Sequence, residues 1–539
     1  MTAPAAYDVV CVGGGLGGLA AAVRAHDLGA RVLVLERSSM VGGVAAYSGG
    51  FCWVGDNPLD ESGSDSLEQA EAYLDHVQGS GRPVDRDARR AYLESAARAT
   101  REFARAGVPF SLIRGASDLY HPGPGSTEQG RLVECALEGS ELGEWRRHLR
   151  PSPYYRTGIT RDEIYYELKG DVSARLALVQ ERADGDVLTH GLGLAGAFVR
   201  EALVRRGIEC RLEHRVVELR HDGDRVVGVV AEGPDGRVEV GAAKGVLLAV
   251  GWYGGSADAA ELEDVPELVE AAPPVVTGDG LTLAQAVGAT VVRGADPFVV
   301  LGARFEGQTH PGSEEPLYQQ LFECLGFPHS MVVNRDGERF GDESYYGTMI
   351  RGLRAFDSRA KRWVNYPCWL VFDETYRQDY PLGPYAPGAA YPADVQRFGS
   401  VAALATALGI PVDALTATVG RFNEQAERGD DVDFGRGSLP FARRAYGDPR
   451  YVNPNLGPVA TPPFYAVQLT VLGVGLCSMG LAIDQHARVL RRDGSAIAGL
   501  YATGNAAATR ELKGYVTGLA NTRNYTYAFN AVNDMLEDR

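Results

Sequence analysis

YDVVCVGGGLGGLAAAVRAHDLGARVLVLERSSMVGGVAAYSGG, residues 7–50, decides how the rest of the 539-residue chain is read. In residues 8–12 all but the first are apolar, the pattern of a short buried strand. Gly13, Gly15 and Gly18 follow in G-x-G-x-x-G spacing, and an alanine-rich helical stretch comes next. A second apolar run, residues 31–35, ends in Glu36, 18 residues after Gly18. Strand, glycine turn, helix, second strand and acidic residue in that order make a dinucleotide-binding βαβ unit. Gly13 permits the tight turn, Gly15 lets the backbone approach a pyrophosphate, and Gly18 lets helix and strand pack closely. The helix N-terminus offers unpaired N–H groups and a partial positive charge to phosphate. Glu36 stands where a ribose hydroxyl would donate to it.

Gly42-Gly43 and Ser48-Gly49-Gly50 let the chain run tightly along a bulky planar ligand. This run resembles the FAD-binding segment of the fumarate reductase and 3-ketosteroid dehydrogenase superfamily, where GG-x-x-x-x-SGG follows the ribose-binding Glu. The resemblance implies FAD as the cofactor and an α/β fold. It consists of a discontinuous Rossmann-like FAD-binding domain with an inserted α+β substrate domain. The expected division is residues 1–280 for the first part of the FAD domain (with a helical excursion at about 55–190), 281–463 for the insertion, and 464–539 for the closing part. Further implied cofactor contacts are Gly17, Arg37, the backbone near Val216, the turn from Ala249 to Gly251, Asp279 in the TGDG turn, Gly504, Asn505, Gly518 and Leu519.

The length suits two or three domains, and apolar and charged fractions of 45% and 23% are those of a globular protein. No apolar run approaches the roughly 18 residues of a membrane span. The first strand begins within seven residues of the N-terminus, which leaves no space for a secretion leader. Seven cysteines stand singly with no C-x-x-C, which fits a reducing cytoplasm better than a disulfide framework or a zinc site. No other metal-ligand spacing stands out, and no G-x-S-x-G marks a hydrolase. A net charge of −17 argues against nucleic acid or an anionic membrane surface as a partner. The arginine excess is compositional, since only four basic residues are lysine and no basic run occurs.

Residues 66–76 and 87–106 show helical spacing, and Gly107-Val108-Pro109 ends the second. An irregular stretch follows (SDLYHPGPGSTEQGRLVE, residues 117–134), with Tyr120 amid Gly and Pro, a composition typical of functional loops. Residues 150–186 read as a second irregular stretch, either a lid or a surface excursion. A helix over 192–206 precedes strands over 208–212, 216–219, 226–231, 238–240 and 244–251. Looser sequence from 281 to 463 includes helices at 401–408 and 415–426. Residues 499–504 form a strand, and a final helix lies beyond Tyr515.

Several segments resemble the ketosteroid dehydrogenase branch. Residues 120–134 resemble the tyrosine-bearing loop of 3-ketosteroid Δ1-dehydrogenases. FGRG (434–437), YGDP (446–449), NPNLGP (453–458) and PFYA (463–466) follow that family's order. Fumarate reductases use an Arg as proton donor, whereas Gly326 stands at that position here, followed by Phe327-Pro328-His329. The resemblance therefore implies a FAD-dependent dehydrogenase acting on CH–CH groups. It would introduce a C=C bond α,β to the carbonyl of a hydrophobic cyclic ketone, steroid or steroid-like.

Such chemistry sends the α proton to a base and the β hydride to FAD N5, while the carbonyl oxygen becomes enolate-like. Tyrosine suits a dry pocket, with its apolar body and polar tip, but its pKa of about 10 must fall for it to act as a base at neutral pH. By resemblance, Tyr346 is the base in preference to Tyr345, and Tyr120 relays or stabilises the proton. Tyr515 meets the carbonyl, with the N–H of Gly518 or Leu519 as second donor. Here the chain departs from the Δ1 enzymes. Its YVTGL (515–519) resembles the Tyr-x-Ser-Gly-Leu run of Δ4-(5α)-dehydrogenases, with Thr517 in place of Ser, so regiochemistry stays open. Lys513 and Arg523 flank the site, either lowering a tyrosine pKa or forming exposed salt bridges. His329 is a loop residue or a distant candidate for proton donor. The alternatives are an ene-reductase running the same site backwards and a flavin-binding protein without turnover. A cyclic ketone or enone and an unidentified electron acceptor or donor are the implied partners.

Overall fold

The strand expected at residues 8–12 is Ala5–Val12 (β1), and the glycine turn leads into helix α1, Leu16–Asp27, and strand β2, Val32–Leu35. A computed structural model describes residues 5–79, 85–118, 120–155, 158–168 and 172–537. β1 lies parallel to β2 on one side and to the strand Gly236–Leu248 on the other. Every residue of β2 is buried, as are residues 9–12, because a parallel sheet is covered on both faces. Each such Val or Leu contributes about 1.5–3 kcal/mol. Glu209–Arg211 extends the sheet beyond β2, and Ala496–Ala502 joins Gly236–Leu248 in parallel. The chain thus returns to its first sheet near its C-terminus.

Gly236–Leu248 is one continuous strand where the sequence suggests two. Its first half pairs antiparallel with Arg225–Gly233, and its second half pairs parallel with β1 and Ala496–Ala502. The small residues 241–243 that look like a break adjoin an irregular step in register opposite Tyr7 and Val9. The helices expected over 66–76 and 87–106 are Leu67–Gln78 and Arg86–Arg105. Ser66 and Asp85 cap them by accepting from Gln69 N (3.2 Å) and Ala88 N (2.9 Å). The helix expected over 192–206 is His190–Val199, continued by a π-helical segment Arg200–Arg205. Within residues 150–186, read as irregular, lie a π-helical turn Glu163–Glu167 and a helix Val172–Glu181; residues 156–157 and 169–171 are outside the described residues. Among the described residues no helix is long and apolar enough to cross a membrane.

Two compact units emerge, Met1–Ser256 with Val275–Asp296 and Gly475–Arg539, and Ala257–Pro274 with Pro297–Val474. These boundaries correct the expected insertion of 281–463 at both ends. Residues 281–296 stay with the first unit, where Val291–Arg293 pairs with Met479–Leu481. Residues 464–474 belong to the second, because Phe464–Gly473 is its central strand, antiparallel to Val299–Thr309 on one side and Cys368–Phe372 on the other. Residues 257–274 join it through Val269–Glu270, which pairs with Leu472 and Gly473. The prolines at 462 and 463 open a strand where they suggested the end of a domain.

The second unit's sheet runs in the order Pro316–Gln320, Val299–Thr309, Phe464–Gly473, Cys368–Phe372, Ser330–Asn334. Helices Val401–Leu408 and Val412–Arg428 bring Leu404, Leu415, Val419 and Phe422 against Met331, Val333 and Val371. A separate core gathers Leu301, Phe305, Val332, Leu370 and Tyr376. Strands and helices are mixed in each unit, the α/β and α+β character expected of them.

Candidate active site

In the first unit the turn after β1 places Gly15 at the N-cap of α1 with no side chain capping it. The N–H groups of the first turn are therefore available to an anion. Gly13 has φ +109, and a Cβ there or on Gly18 would collide with Ala249 O or Gly13 O respectively. Gly15 has only Gly43 Cα, 3.8 Å from where its Cβ would stand, and Gly42 N–H donates to Gly14 O at 2.9 Å. The two glycine runs therefore lie side by side as bare backbone, a floor that fits a pyrophosphate.

Glu36, 7% exposed, accepts Gly14 N–H at 2.8 Å and Ser38 N–H at 2.9 Å. Its backbone is laced to residues 211–214 by Glu36 N→Arg211 O (2.9 Å) and His214 N→Glu36 O (2.8 Å), which brings up Val216 two residues on. Arg37 Nη1 donates to Thr277 Oγ1 (2.6 Å) and to Asp279 Oδ2 (3.3 Å), and Arg215 Nε donates to the same Asp279 oxygen at 2.9 Å. The TGDG turn is thereby tied to the fingerprint. Ala249 N donates to Val12 O (2.8 Å) and Thr503 N to Leu248 O (3.0 Å). These bonds bring Ala249, Gly251, Gly504 and Asn505 to the carboxyl ends of the strands, where open α/β sheets bind ligands. Gly17 packs against Thr503. The donor set and the glycine floor fit the dinucleotide half of FAD.

A second cluster in the same unit surrounds the start of the last helix, Leu519–Leu536. Its N-cap is Gly518, at φ +86 and with no side-chain cap. A Cβ there would lie 2.8 Å from Trp53 N, so glycine is what lets this positive helix end reach residues 51–53. Asn521 Nδ2 donates to Phe51 O (2.8 Å) and Ser48 Oγ (3.3 Å), joining the helix to the Ser48-Gly49-Gly50 run. Thr517 Oγ1 is buried and has no hydrogen-bond partner among the described residues, and Tyr515 beside it is half-buried. Leu519 N–H already donates to Val516 O at 3.1 Å, which makes Gly518 N–H the better placed of the two expected backbone donors. Arg523 is not an exposed salt bridge: it is buried against Glu511, donates to Ala507 O at 3.2 Å, and opposes the upward shift that burial gives Tyr92 and Tyr527, away from Tyr515 in sequence.

Tyr120 sits on a loop that sequence reasoning found without its anchor. Asp118 Oδ1 accepts Trp53 Nε1–H at 2.9 Å, and Oδ2 accepts Thr127 N–H (2.8 Å) and Arg131 Nη1–H (2.7 Å). Arg131 also grips both oxygens of Asp65, at 2.5 and 2.8 Å. Burial holds Asp118 above the usual carboxylate range in spite of Arg131. Trp53 thus touches both the Tyr120 loop and the Gly518 turn. Partners this far apart in sequence leave no local signal.

In the second unit Tyr346 opens the helix Tyr346–Leu353, and its ring meets Phe298 edge-on at 5.1 Å. It lines a small crevice with Val299, Leu301, Phe322, Leu325 and Met349. Tyr345 folds its ring over Gly347, and burial pushes its phenol up to about 12, Arg351 opposing. Glu343, also on the crevice wall, accepts Arg339 Nε (2.8 Å) and Nη2 (2.7 Å) and Arg436 Nη1 (3.3 Å). Burial alone would raise it, but the two guanidiniums override this and hold it below the usual range. Neighbouring Asp342 accepts Ser344 N–H (2.8 Å) and Oγ–H (2.6 Å), and burial raises it to about 6. His329 has both ring nitrogens engaged, with Pro458 O (2.7 Å) and Tyr451 OH (2.5 Å).

The model of the FAD binding domain family matches residues 8–521. The chain is 33% identical over 525 residues to 4-oxocyclohexanecarboxylate 2-dehydrogenase of Sinomonas cyclohexanicum, an alignment covering 94% of this chain and 89% of that protein. It is 30% identical over 546 residues to 3-oxosteroid 1-dehydrogenase of Mycobacterium tuberculosis, covering 93% of each. Among solved structures it is similar to 3-ketosteroid Δ1-dehydrogenase from Sterolibacterium denitrificans in complex with 1,4-androstadiene-3,17-dione. That match has a TM-score of 0.85 and 29% identity, over 98% of this chain and 99% of the other.

Proposed function

The chain belongs to the FAD binding domain family and is a flavin-dependent dehydrogenase of the 3-ketosteroid dehydrogenase type; from that premise we propose that it desaturates the carbons α and β to the carbonyl of a cyclic ketone. The observation that carries this is the likeness, at 33% and 30% identity over more than nine-tenths of the chain, to two dehydrogenases whose names share a ring ketone. Both a steroid and a one-ring oxo-carboxylate contain that group. The second substrate class is favoured by the higher of the two identities.

In this reading Tyr346 takes the α proton, and the apolar side chains around it keep water from the exchange. Tyr515 and the Gly518 N–H donate to the carbonyl oxygen as negative charge builds on it, at a helix end whose dipole favours that charge. The Thr517 hydroxyl supplies a further polar contact, and Tyr120 relays or stabilises the proton. Bound FAD supplies the hydride acceptor, and an electron acceptor of unidentified class is needed for its reoxidation.

Anaerobic mixing tests the proposal. A saturated 3-ketosteroid or 4-oxocyclohexanecarboxylate should bleach the flavin absorbance, and its α,β-desaturated product should not. If neither ketone bleaches the flavin while the product reoxidises reduced flavin, the protein is an ene-reductase instead. The faster of the two ketones identifies the substrate class.

A further inference from the structure

Arg150 is 5% exposed and lies beside the second half of the nucleotide fingerprint. Its backbone is fixed there, since Arg150 N donates to Val41 O (3.0 Å) and Val41 N to His148 O (2.8 Å). Its side chain donates from Nη2 to Ser38 Oγ at 2.8 Å, and Nε is buried with no hydrogen-bond partner among the described residues. Among the described residues no carboxylate lies within ion-pair distance of it. Ser38 touches Glu36 Oε1 through its N–H and its Oγ, both at 2.9 Å. Burial lowers the Arg150 pKa, and Glu36 is the first charge that opposes this, ahead of Tyr47.

A guanidinium does not relieve burial by losing its proton. Burying one without a carboxylate contact is therefore costly, and an apolar side chain would serve packing better. The spacing has a physical use. A carboxylate that must accept from a ribose has to stay ionised, yet an acceptor position has to stay open. Glu36 already accepts from Gly14 N–H and from Ser38 N–H and Oγ–H; direct contact with Arg150 would take the acceptor position that remains, whereas an arginine held one serine away supplies the charge and leaves that position to the ribose.

We infer that Arg150 is a cofactor-holding residue, the counter-charge that positions Glu36 through Ser38 for the ribose of FAD. Full-length protein stripped of flavin and titrated with FAD reads this directly, with thermal unfolding of the same flavin-free protein as the control. Arg150→Met should raise the FAD dissociation constant tenfold or more and leave the unfolding midpoint unchanged or higher. Arg150→Lys keeps the charge but not the planar fork, and should raise the constant at least threefold. In a Glu36→Gln background, Arg150→Met should weaken FAD threefold or less. FAD affinity within twofold of wild type for Arg150→Met overturns the inference, as does an equal loss in both backgrounds. Should Arg150→Met fail to fold, wild-type affinity in Arg150→Lys overturns it.

Discussion

Glu36 and Glu343 are both buried carboxylates with arginine nearby, and they are held in opposite ways. Glu343 in the second unit has its oxygens filled by Arg339 and Arg436, and Arg339 is shared with Asp431 at 2.9 and 3.1 Å. Nothing is left for a ligand, and the cluster ties the strand Ser330–Asn334 to the segment around FGRG through Arg436 Nη1→Ser330 O (2.7 Å). Glu36 in the first unit accepts from backbone N–H groups and Ser38, and Arg150 stands off behind that serine. Arg436 also leaves its Nε unpartnered, so an orphan donor does not separate the two sites; direct carboxylate contact does. A filled carboxylate builds structure, and a carboxylate with an acceptor position to spare is equipped to bind.

The largest effect expected from this contrast is on stability. Glu343→Gln leaves Arg339 and Arg436 with Asp431 as their main counter-charge and should cost about 3–5 kcal/mol. Denaturant unfolding reads the loss, and FAD affinity should stay within twofold of wild type. That is the reverse of the pattern expected for Arg150→Met.

Asp342 extends the contrast, because it is buried next to Glu343 with no ion pair among the described residues, only the more distant Arg436 charge opposing its burial, and, unlike arginine, it can take up a proton. Burial raises it from 3.8 to about 6 in the folded protein, so the native state binds the proton more tightly than the unfolded chain does. Its contribution to stability is therefore full below about pH 4 and is lost as pH rises through about 6. Asp342→Asn should gain about 3 kcal/mol over wild type at pH 8 and about 0.5 kcal/mol or less at pH 4, measured by unfolding at the two pH values. An advantage independent of pH would mean that Asp342 is not the titrating group.

The nucleotide half of the fold was legible because each step of the fingerprint is a backbone demand that one residue type meets. Gly13, Gly18 and Glu36 occupy positions where the structure permits little else. Domain ends were less legible. Pro462-Pro463 ends one pattern, but the ten-residue strand beginning at Phe464 pairs with strands more than 90 residues earlier, which no local signal reports. Gly236–Leu248 reads as two strands because the small residues 241–243 look like a break where its partner changes. Tyr346, Tyr515 and Tyr120 were chosen from 25 tyrosines by resemblance alone, since a phenol carries no spacing rule of its own. Arg150 and the Trp53–Asp118–Arg131 network gave no sign at all. In a chain this rich in arginine a single Arg is uninformative until its neighbours in space are known.

Stopped-flow measurement of flavin bleaching, with a saturated cyclic ketone that wild type oxidises, tests the dehydrogenase reading most directly. Tyr346→Phe, loaded with FAD to wild-type content, should bleach at least about 100-fold more slowly, equivalent to roughly 3 kcal/mol of lost transition-state stabilisation. Bleaching at the wild-type rate would contradict the account and place the base on another residue.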